Sequence, residues 1–408
     1  MTGVRLAYVL PRYGVEVVGG AELAIRLIAE RLAARPGWEL SVLTTCALDS
    51  RTWANHYPEG EDVVNGVRVV RFANAVERAP DFDEFSNHVL LGPSPSAVSR
   101  DDQIRWIDLQ GPFAPELLNA VANSDADLLV FKPYLYYPTV WGVPLVPGRA
   151  VMHPAAHDEP ALRLPLLRSV FRGCEGFVYN MAGERRLVES VCPEAALRPS
   201  LISGFGIELP ASVRPEAGSA LSDGAPYLVS VGRVDAAKGS LLLAKWFAAY
   251  KERRPGPLKL VLVGQVADDV VEAGRDDVVL TGIVDDSVKW GALAGAVAVV
   301  QPSPYESLSL ALLEGWAAGR PAIVNAACEA TSEHVRASGG GFMVGGYASF
   351  EVVLDRLLAS PGLRDALGAA GRGYVEQNYR WPRILDRYEA FMTALAAARR
   401  PRPGTPCR

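Results

Sequence analysis

Short apolar runs and amphipathic stretches alternate along this chain at nearly regular spacing. Residues 4–10 form an apolar run stopped by Pro11, and after a polar loop the stretch 21–35 repeats Leu23, Leu27, Ile28 and Leu32 at helical intervals. The pattern predicts a β-loop-α unit. A second strand is expected over 40–45, and Asn65-Gly66 between Val63-Val64 and the run 67–70 signals a β-hairpin, because both residues accept the positive φ of a tight turn. Residues 74–112 are polar, proline-rich and aperiodic, and read as either a functional loop or a partly disordered one. Strands resume at 128–131, 149–152, 176–180 and 197–203.

Residues 209–225, rich in Pro, Ala, Ser and Gly, read as a linker. Beyond it, apolar runs at 227–231, 258–264, 278–282 and 298–300 alternate with helical stretches, one opening at Ser240, so the second half predicts another parallel sheet. A last helix over 381–399 gathers Trp381, Ile384, Leu385, Tyr388 and Met392 on one side. The basic, proline-rich tail after it reads as disordered.

A chain of 408 residues exceeds one ordinary core and suits two domains. Forty-one Lys and Arg against 46 Asp and Glu give a formal charge of −5, which supplies no broad basic field and argues against a nucleic-acid partner. The five cysteines are odd in number, scattered and without a C-x-x-C pair, which suggests neither a disulfide framework nor a zinc site and points to a reducing compartment. No apolar signal core opens the chain and no apolar run reaches a membrane span. A cytoplasmic protein is expected, with peripheral contact at the inner membrane face compatible with the sequence.

Chemistry concentrates in a few loops. The stretch 301–321 joins a buried strand to a helix expected to open at serine, and holds Glu306 and Glu314. If both were helical, eight steps of about 100° would set them roughly 80° apart and some 12 Å along the axis, so they cannot share a small site as a helical pair. If Glu306 precedes the helix, the N–H groups of Ser307, Leu308 and Ser309 form a seat for a phosphate, with one carboxylate on either side of it. A ligand with a sugar, a phosphate and a second sugar fits. Upstream, the loop 232–239 follows a strand and carries Gly232, Arg233, Lys238 and Gly239, two cations able to clamp a diphosphate.

In the first half, Gly19-Gly20 before a helix allows close approach of backbone to a ligand, or serves as a plain turn, and lacks the spacing of a dinucleotide fingerprint. The strand 149–152 ends in His153, His157, Asp158 and Glu159, where ligands gather in α/β sheets. His153 reads as a packed neighbour, and no third group is placed to complete a metal site with the two histidines. Tyr134, Tyr136, Tyr137 and Trp141 suit either sugar faces or core packing.

Glu306, seven residues, Glu314, then Gly319-Arg320-Pro321, with the Gly-Arg…Lys-Gly loop upstream, resembles the signature of retaining glycosyltransferases of family 4, part of glycosyltransferase group 1. The resemblance is strong over 226–345 and weak before 150. It implies an α/β GT-B fold: two Rossmann-like domains facing a cleft, with a C-terminal helix crossing back to the first. The domains would be 1–210 for the acceptor, 211–380 for the donor, 381–400 for the crossover helix and 401–408 for the tail. By resemblance, His157, Glu306, Arg233 and Lys238 would be catalytic. Gly19, Gly20, Gly232, Gly264, Ile283, Tyr305, Ser307, Leu308, Ser309 and Glu314 would bind the donor, with Glu306 by its sugar, Glu314 on its ribose and the turn around Ile283 at its base. Asp158, Tyr134 and Tyr136 would meet the acceptor.

The resemblance implies a metal-independent hexosyltransferase (EC 2.4) without cofactor, moving sugar from a UDP- or GDP-linked donor to a glycan, a lipid-linked or a small-molecule acceptor. The rival readings are a non-catalytic subunit that binds sugar nucleotides, and an epimerase or phosphorylase of related fold. The intact Arg233, Lys238, Glu306 and Glu314 argue against the first. A phosphorylase would need a pyridoxal-phosphate lysine that the sequence does not reveal.

Overall fold

A computed structural model describes residues 3–17, 19–92, 94–208, 213–267 and 275–399. The chain divides into two compact units: residues up to Ser203 with those from Leu385 on, and Gly204–Ile384.

The first unit holds eight strands: β1 (Val4–Val9), β2 (Trp38–Thr45), β3 (Gly60–Val64), β4 (Val67–Phe72), β5 (Leu128–Phe131), β6 (Ala150–Met152), β7 (Gly176–Tyr179) and β8 (Ser200–Ile202). They lie in the order β3-β4-β2-β1-β5-β6-β7-β8, all parallel to their neighbours except the β3–β4 hairpin. The Asn65-Gly66 turn forms that hairpin as expected, with φ +50° and +84° and Val64 opposite Val67. β5 is buried at every position, as a central parallel strand covered on both faces must be.

The second unit holds β9 (Tyr227–Val231), β10 (Lys259–Val263), β11 (Val278–Leu280), β12 (Ala298–Gln301), β13 (Ala322–Asn325) and β14 (Gly341–Val344). Their order is β11-β10-β9-β12-β13-β14, all parallel. Apolar clusters pack on both faces, one around Leu228, Leu260 and Phe350, the other around Val229, Val261 and Leu293. Each unit is therefore a doubly wound, Rossmann-like α/β layer structure.

Three expectations are corrected. The stretch 74–112 is not an irregular loop: it carries the helices Phe82–Leu90 and Arg100–Gln110, and Trp106 and Ile107 enter the core of the first unit. The second helix keeps Gln103 and Gln110 buried as well, so its inner face is half polar and shows no apolar period. The stretch read as a linker contains the helix Pro215–Leu221. Its small residues serve packing: a Cβ on Gly218 would stand 2.4 Å from the carbonyl oxygen of Gly291, on the helix Asp286–Gly295. The units part at 203/204 and 384/385, against expected boundaries near 210 and 380. Residues 209–212 and the tail from 400 lie outside the described residues.

The helix Trp381–Arg399 begins against the second unit, where Trp381 meets Phe205 edge-on at 4.8 Å, and from Leu385 onward it belongs to the first. There Asp386 and Glu389 pair with Arg35, the Tyr388 hydroxyl lies 3.3 Å from that of Tyr8, and Met392 is fully buried. No helix among the described residues is long and apolar enough to cross a membrane. Met392→Ala should destabilise the first unit by about 2–5 kcal/mol through lost burial and the cavity left behind. Urea unfolding of the full chain, followed on the first unit's transition, measures this; a loss below about 1 kcal/mol would mean that the helix end is not part of that core.

Candidate functional site

In the second unit the strand order reverses between β9 and β12, and the loops leaving the carboxyl ends of these two strands meet at the place where open α/β sheets bind ligands. The loop 232–239 is shaped by Asp235, whose Oδ1 accepts from the Lys238 N–H at 2.7 Å and whose carbonyl accepts from the Ser240 N–H at 3.2 Å. Gly239 has φ +74°, and a Cβ there would stand 2.6 Å from the carbonyl oxygen of Pro302, so glycine is what lets the two loops touch. The contact brings Lys238 Nζ to 2.7 Å from Glu306 Oε1, which also accepts from Gln301 Nε2 at 3.0 Å. Arg233 lies nearer solvent, its side chain 56% exposed, with Asp235 at 3.4 Å.

The helix after Glu306 does not open at Ser307. It runs Leu310–Ala317, with Ser309 before it at φ +67°, ψ +82°. Ser307, Leu308 and Ser309 therefore form a turn ahead of the helix, and among the described residues their N–H groups have no acceptor. The Ser309 hydroxyl is buried without a partner. These N–H groups stand on strained backbone ahead of the helix rather than on a helical first turn. His334 backs this turn: its Nε2 lies 3.0 Å from the Leu308 carbonyl oxygen and its Nδ1 3.1 Å from the Tyr374 hydroxyl. Burial pushes the His334 imidazole down to about 4, against the opposing pull of the Leu308 carbonyl.

Glu314 sits on the helix and meets Lys289 at 2.9 Å. Burial raises the Glu314 carboxyl above its ordinary range while Lys289 works to lower it. Gly232 donates to the Val263 carbonyl and Gly264 to that of Gly282, which ties the ends of β9, β10 and β11 together. Ile283 and Tyr305 project from their loops largely exposed, at 72% and 55%.

In the first unit the order reverses between β1 and β5. After β1, Arg12 pairs with Glu22, whose carboxylate folds back where a Cβ on Gly19 would lie, while Gly20 faces open space. After β6, His157 Nε2 is 3.4 Å from Glu159 Oε2, and the Tyr134 hydroxyl donates to Glu159 Oε1 at 2.6 Å. Tyr134 is fully buried and packs on Phe171, so it stands behind Glu159 and presents no surface to an acceptor. Tyr136 is half-buried, edge-on to Trp53 at 5.4 Å, and Asp158 pairs with Arg163 at 2.6 Å.

The chain just before His157 meets a buried polar cluster. Lys132 Nζ is 3.3 Å from His153 Nδ1, and the Glu184 carboxylate accepts from the N–H groups of Ala156 at 2.7 Å and Asn180 at 2.5 Å. Burial lowers Lys132 and His153 and raises Glu184, and Lys132 and Glu184 each oppose that effect in the other. Glu184 thereby pins the turn at Ala155, a non-glycine residue at φ +54°, just before His157.

Residues 225–360, a third of the chain, match the family model for glycosyl transferases group 1. Two relatives named D-inositol 3-phosphate glycosyltransferase share sequence beyond that stretch. The one from Arthrobacter sp. (strain FB24) is 29% identical over 62% of this chain and 66% of its own length. The one from Pseudarthrobacter chlorophenolicus is 25% identical over 91% of this chain and 90% of its own. Over residues 225–360 the chain is similar to glycosyl transferases group 1.

Its fold agrees. Sucrose-phosphate synthase from Thermosynechococcus elongatus superposes with a TM-score of 0.69 at 18% identity, covering 97% of this chain and 100% of that one. Anabaena HepE, solved in complex with UDP and glucose, gives 0.68 at 15%, covering 96% and 100%. The GT-B fold with two Rossmann-like domains, expected from the motifs, is the fold of this chain.

The switch-point loops bring together Lys238, Glu306 and the 307–309 turn as the motifs suggested. Sequence reasoning missed Lys289, Glu184 and His334. Lys289, three residues from Asp286 and paired to it at 3.0 Å, resembles any surface i,i+3 pair, and His334 sits in an ordinary amphipathic helix. Histidine has an ordinary value near 6.5 when unfolded, so between pH of about 6.5 and 4 the unfolded chain takes up a proton that folded His334 refuses. That stabilisation is present above about pH 6.5 and lost as pH falls toward 4, on the order of 3 kcal/mol. Denaturant titrations across this window should show a shallower loss in His334→Gln than in wild type; equal slopes would contradict the buried neutral imidazole.

Proposed function

We propose that this protein is a glycosyltransferase that transfers a hexose-type sugar, with retention of its anomeric configuration, from a UDP- or GDP-linked donor to a glycan, lipid-linked or small-molecule acceptor. The observation that carries the reading is the switch point of the second unit. There Lys238 pairs with Glu306, Arg233 stands on the same loop as Lys238, and a turn with free N–H groups follows Glu306, which we read as a diphosphate seat next to a sugar seat. In this reading Arg233, Lys238 and the turn hold the diphosphate and stabilise it as it leaves. Glu306 holds the sugar hydroxyls, and Glu314, aligned by Lys289, takes the ribose. The exposed Ile283 and Tyr305, with Gly232 and Gly264 behind them, flank the nucleoside.

Two phosphate charges met by two side-chain cations and three N–H groups leave no need for a divalent ion, and the reading includes neither metal nor cofactor. Bond changes occur on one face of the sugar. The acceptor oxygen bonds to the anomeric carbon as the bond to the β-phosphate oxygen breaks, and the acceptor proton passes to that phosphate oxygen. His157, buttressed by Glu159, is the first unit's group assigned to orienting the sugar, beside the backbone at Gly19 and Gly20. Asp158 and Tyr136 are the acceptor-side groups retained. HepE was solved with UDP and glucose, and the curated relatives are named for an inositol phosphate, so UDP-glucose and a cyclitol phosphate are the first donor and acceptor to assay.

Lys238 must leave Glu306 to reach a phosphate, whereas Arg233 gives up only a longer contact to Asp235. Calorimetric titration with UDP and GDP should therefore show Arg233→Ala losing about 1.5–3 kcal/mol of binding and Lys238→Ala less. Glu306→Gln, which frees Lys238, should bind the nucleotide at least as well as wild type while its release of nucleotide from the donor sugar collapses. Unchanged affinities in both alanine variants, or full turnover in Glu306→Gln, would refute the assignment.

A further inference from the structure

The helix that follows the Ser307–Ser309 turn holds it through one long bond, from the Leu313 N–H to the Ser309 carbonyl at 3.4 Å. Ser309 holds φ +67°, a region serine rarely adopts, and its buried hydroxyl makes no bond that would explain the conformation. The side chain that does meet the turn is His334, at 3.0 Å from the Leu308 carbonyl oxygen. A carbonyl can only accept, so Nε2 carries the hydrogen; in a neutral ring Nδ1 is then an acceptor, and the Tyr374 hydroxyl at 3.1 Å donates to it.

The ring has little freedom to turn. It is fully buried, with Trp316, Tyr374 and Tyr379 edge-on at 6.1, 5.7 and 5.6 Å between centroids. The Trp316 indole is itself fixed by donating to the Gly340 carbonyl at 2.8 Å, and the Tyr374 hydroxyl lies 3.3 Å from that of Tyr379.

In a trans peptide the C=O and the following N–H point in opposite directions within one plane. Fixing the Leu308 carbonyl on His334 therefore aims the Ser309 N–H directly away from the imidazole. We propose that His334 is a positioning residue for the donor diphosphate: its Nε2–H holds the Leu308 carbonyl inward, which orients the N–H groups of the turn, and Tyr374 sets the tautomer that makes this possible. The inference rests on the reading of this turn as the phosphate seat. His334 itself touches no substrate.

The test uses the full chain as wild type, Arg233→Ala, His334→Gln, His334→Leu and Tyr374→Phe, titrated with UDP, GDP and the corresponding nucleosides. A glutamine amide reaches about as far as Nε2 and can donate to Leu308; leucine cannot. His334→Leu should weaken diphosphate binding about tenfold or more and leave nucleoside binding unchanged, with His334→Gln restoring most of the loss and Tyr374→Phe falling between them. Long-range ¹H–¹⁵N spectra of the wild-type histidines should show His334 protonated at Nε2, with a resonance that moves on addition of the diphosphate and stays in place with the nucleoside.

If His334→Leu does not fold, the glutamine variant and the wild-type spectrum still decide. A ring protonated at Nδ1, or an Nε2–H resonance indifferent to diphosphate, overturns the proposal. Weakened binding in Arg233→Ala together with undiminished binding in His334→Leu defeats the positioning role alone. A wild type that binds neither diphosphate, or an Arg233→Ala that binds as wild type does, defeats the phosphate seat and the inference with it.

Discussion

The Lys238–Gly239 loop and the Pro302–Glu306 loop approach until only a hydrogen fits between Gly239 Cα and the Pro302 carbonyl, and the charge pattern of the second unit follows from that distance. With any side chain at 239 the loops would separate, Lys238 would no longer reach Glu306, and each would carry an uncompensated charge at the mouth of the sheet. As built, the pair is preorganised: Glu306 is largely covered and receives Gln301 as well as Lys238, so it is held in place before any ligand arrives. In the proposed function a diphosphate would compete with Glu306 for the lysine and a sugar hydroxyl would take the position the ammonium leaves, so the carboxylate proposed for the sugar also restrains the lysine proposed for the phosphate.

The first unit reaches the same end, a fixed loop at a strand terminus, by another route. Its His157 turn is held by a buried carboxylate, Glu184, which takes two backbone N–H groups. Burying that carboxylate is tolerable because Lys132 is close enough to oppose its discharge, and Lys132 in turn rests on the neutral His153. In the second unit glycine and an aromatic cage around His334 do this work, with the Glu314–Lys289 pair nearby on the following helix. Both arrangements keep strained backbone, Ala155 in one and Ser309 in the other, from relaxing.

Much of this was legible in the sequence. The strands declared themselves as apolar runs, the hairpin through Asn65-Gly66, and the candidate-site loops through cations and glycines set just past strand ends. What stayed hidden has physical causes. The helix Arg100–Gln110 buries glutamines that bond to loop backbone, Gln103 to the Val98 carbonyl and the Leu166 N–H, so its inner face does not look apolar. The helix Phe82–Leu90 does carry Phe82, Phe85 and Val89 at helical spacing, a signal masked by the prolines around it. The sequence Leu308-Ser309-Leu310 gives no sign that the helix waits until Leu310, since the His334 contact to the Leu308 carbonyl comes from a different helix. Tyr134, which suited either a sugar face or core packing, is core, since an aromatic after a strand has the same sequence signature in either place.

The central claim is that a sugar leaves a diphosphate held at the β9–β12 switch point and is captured on the same face. The most direct measurement is the anomeric proton of the product, read by NMR from a reaction with an α-linked nucleoside-diphosphate sugar before any mutarotation. The account predicts the small coupling of a retained α-linkage for a gluco-configured donor. The large coupling of a β-linkage would contradict it.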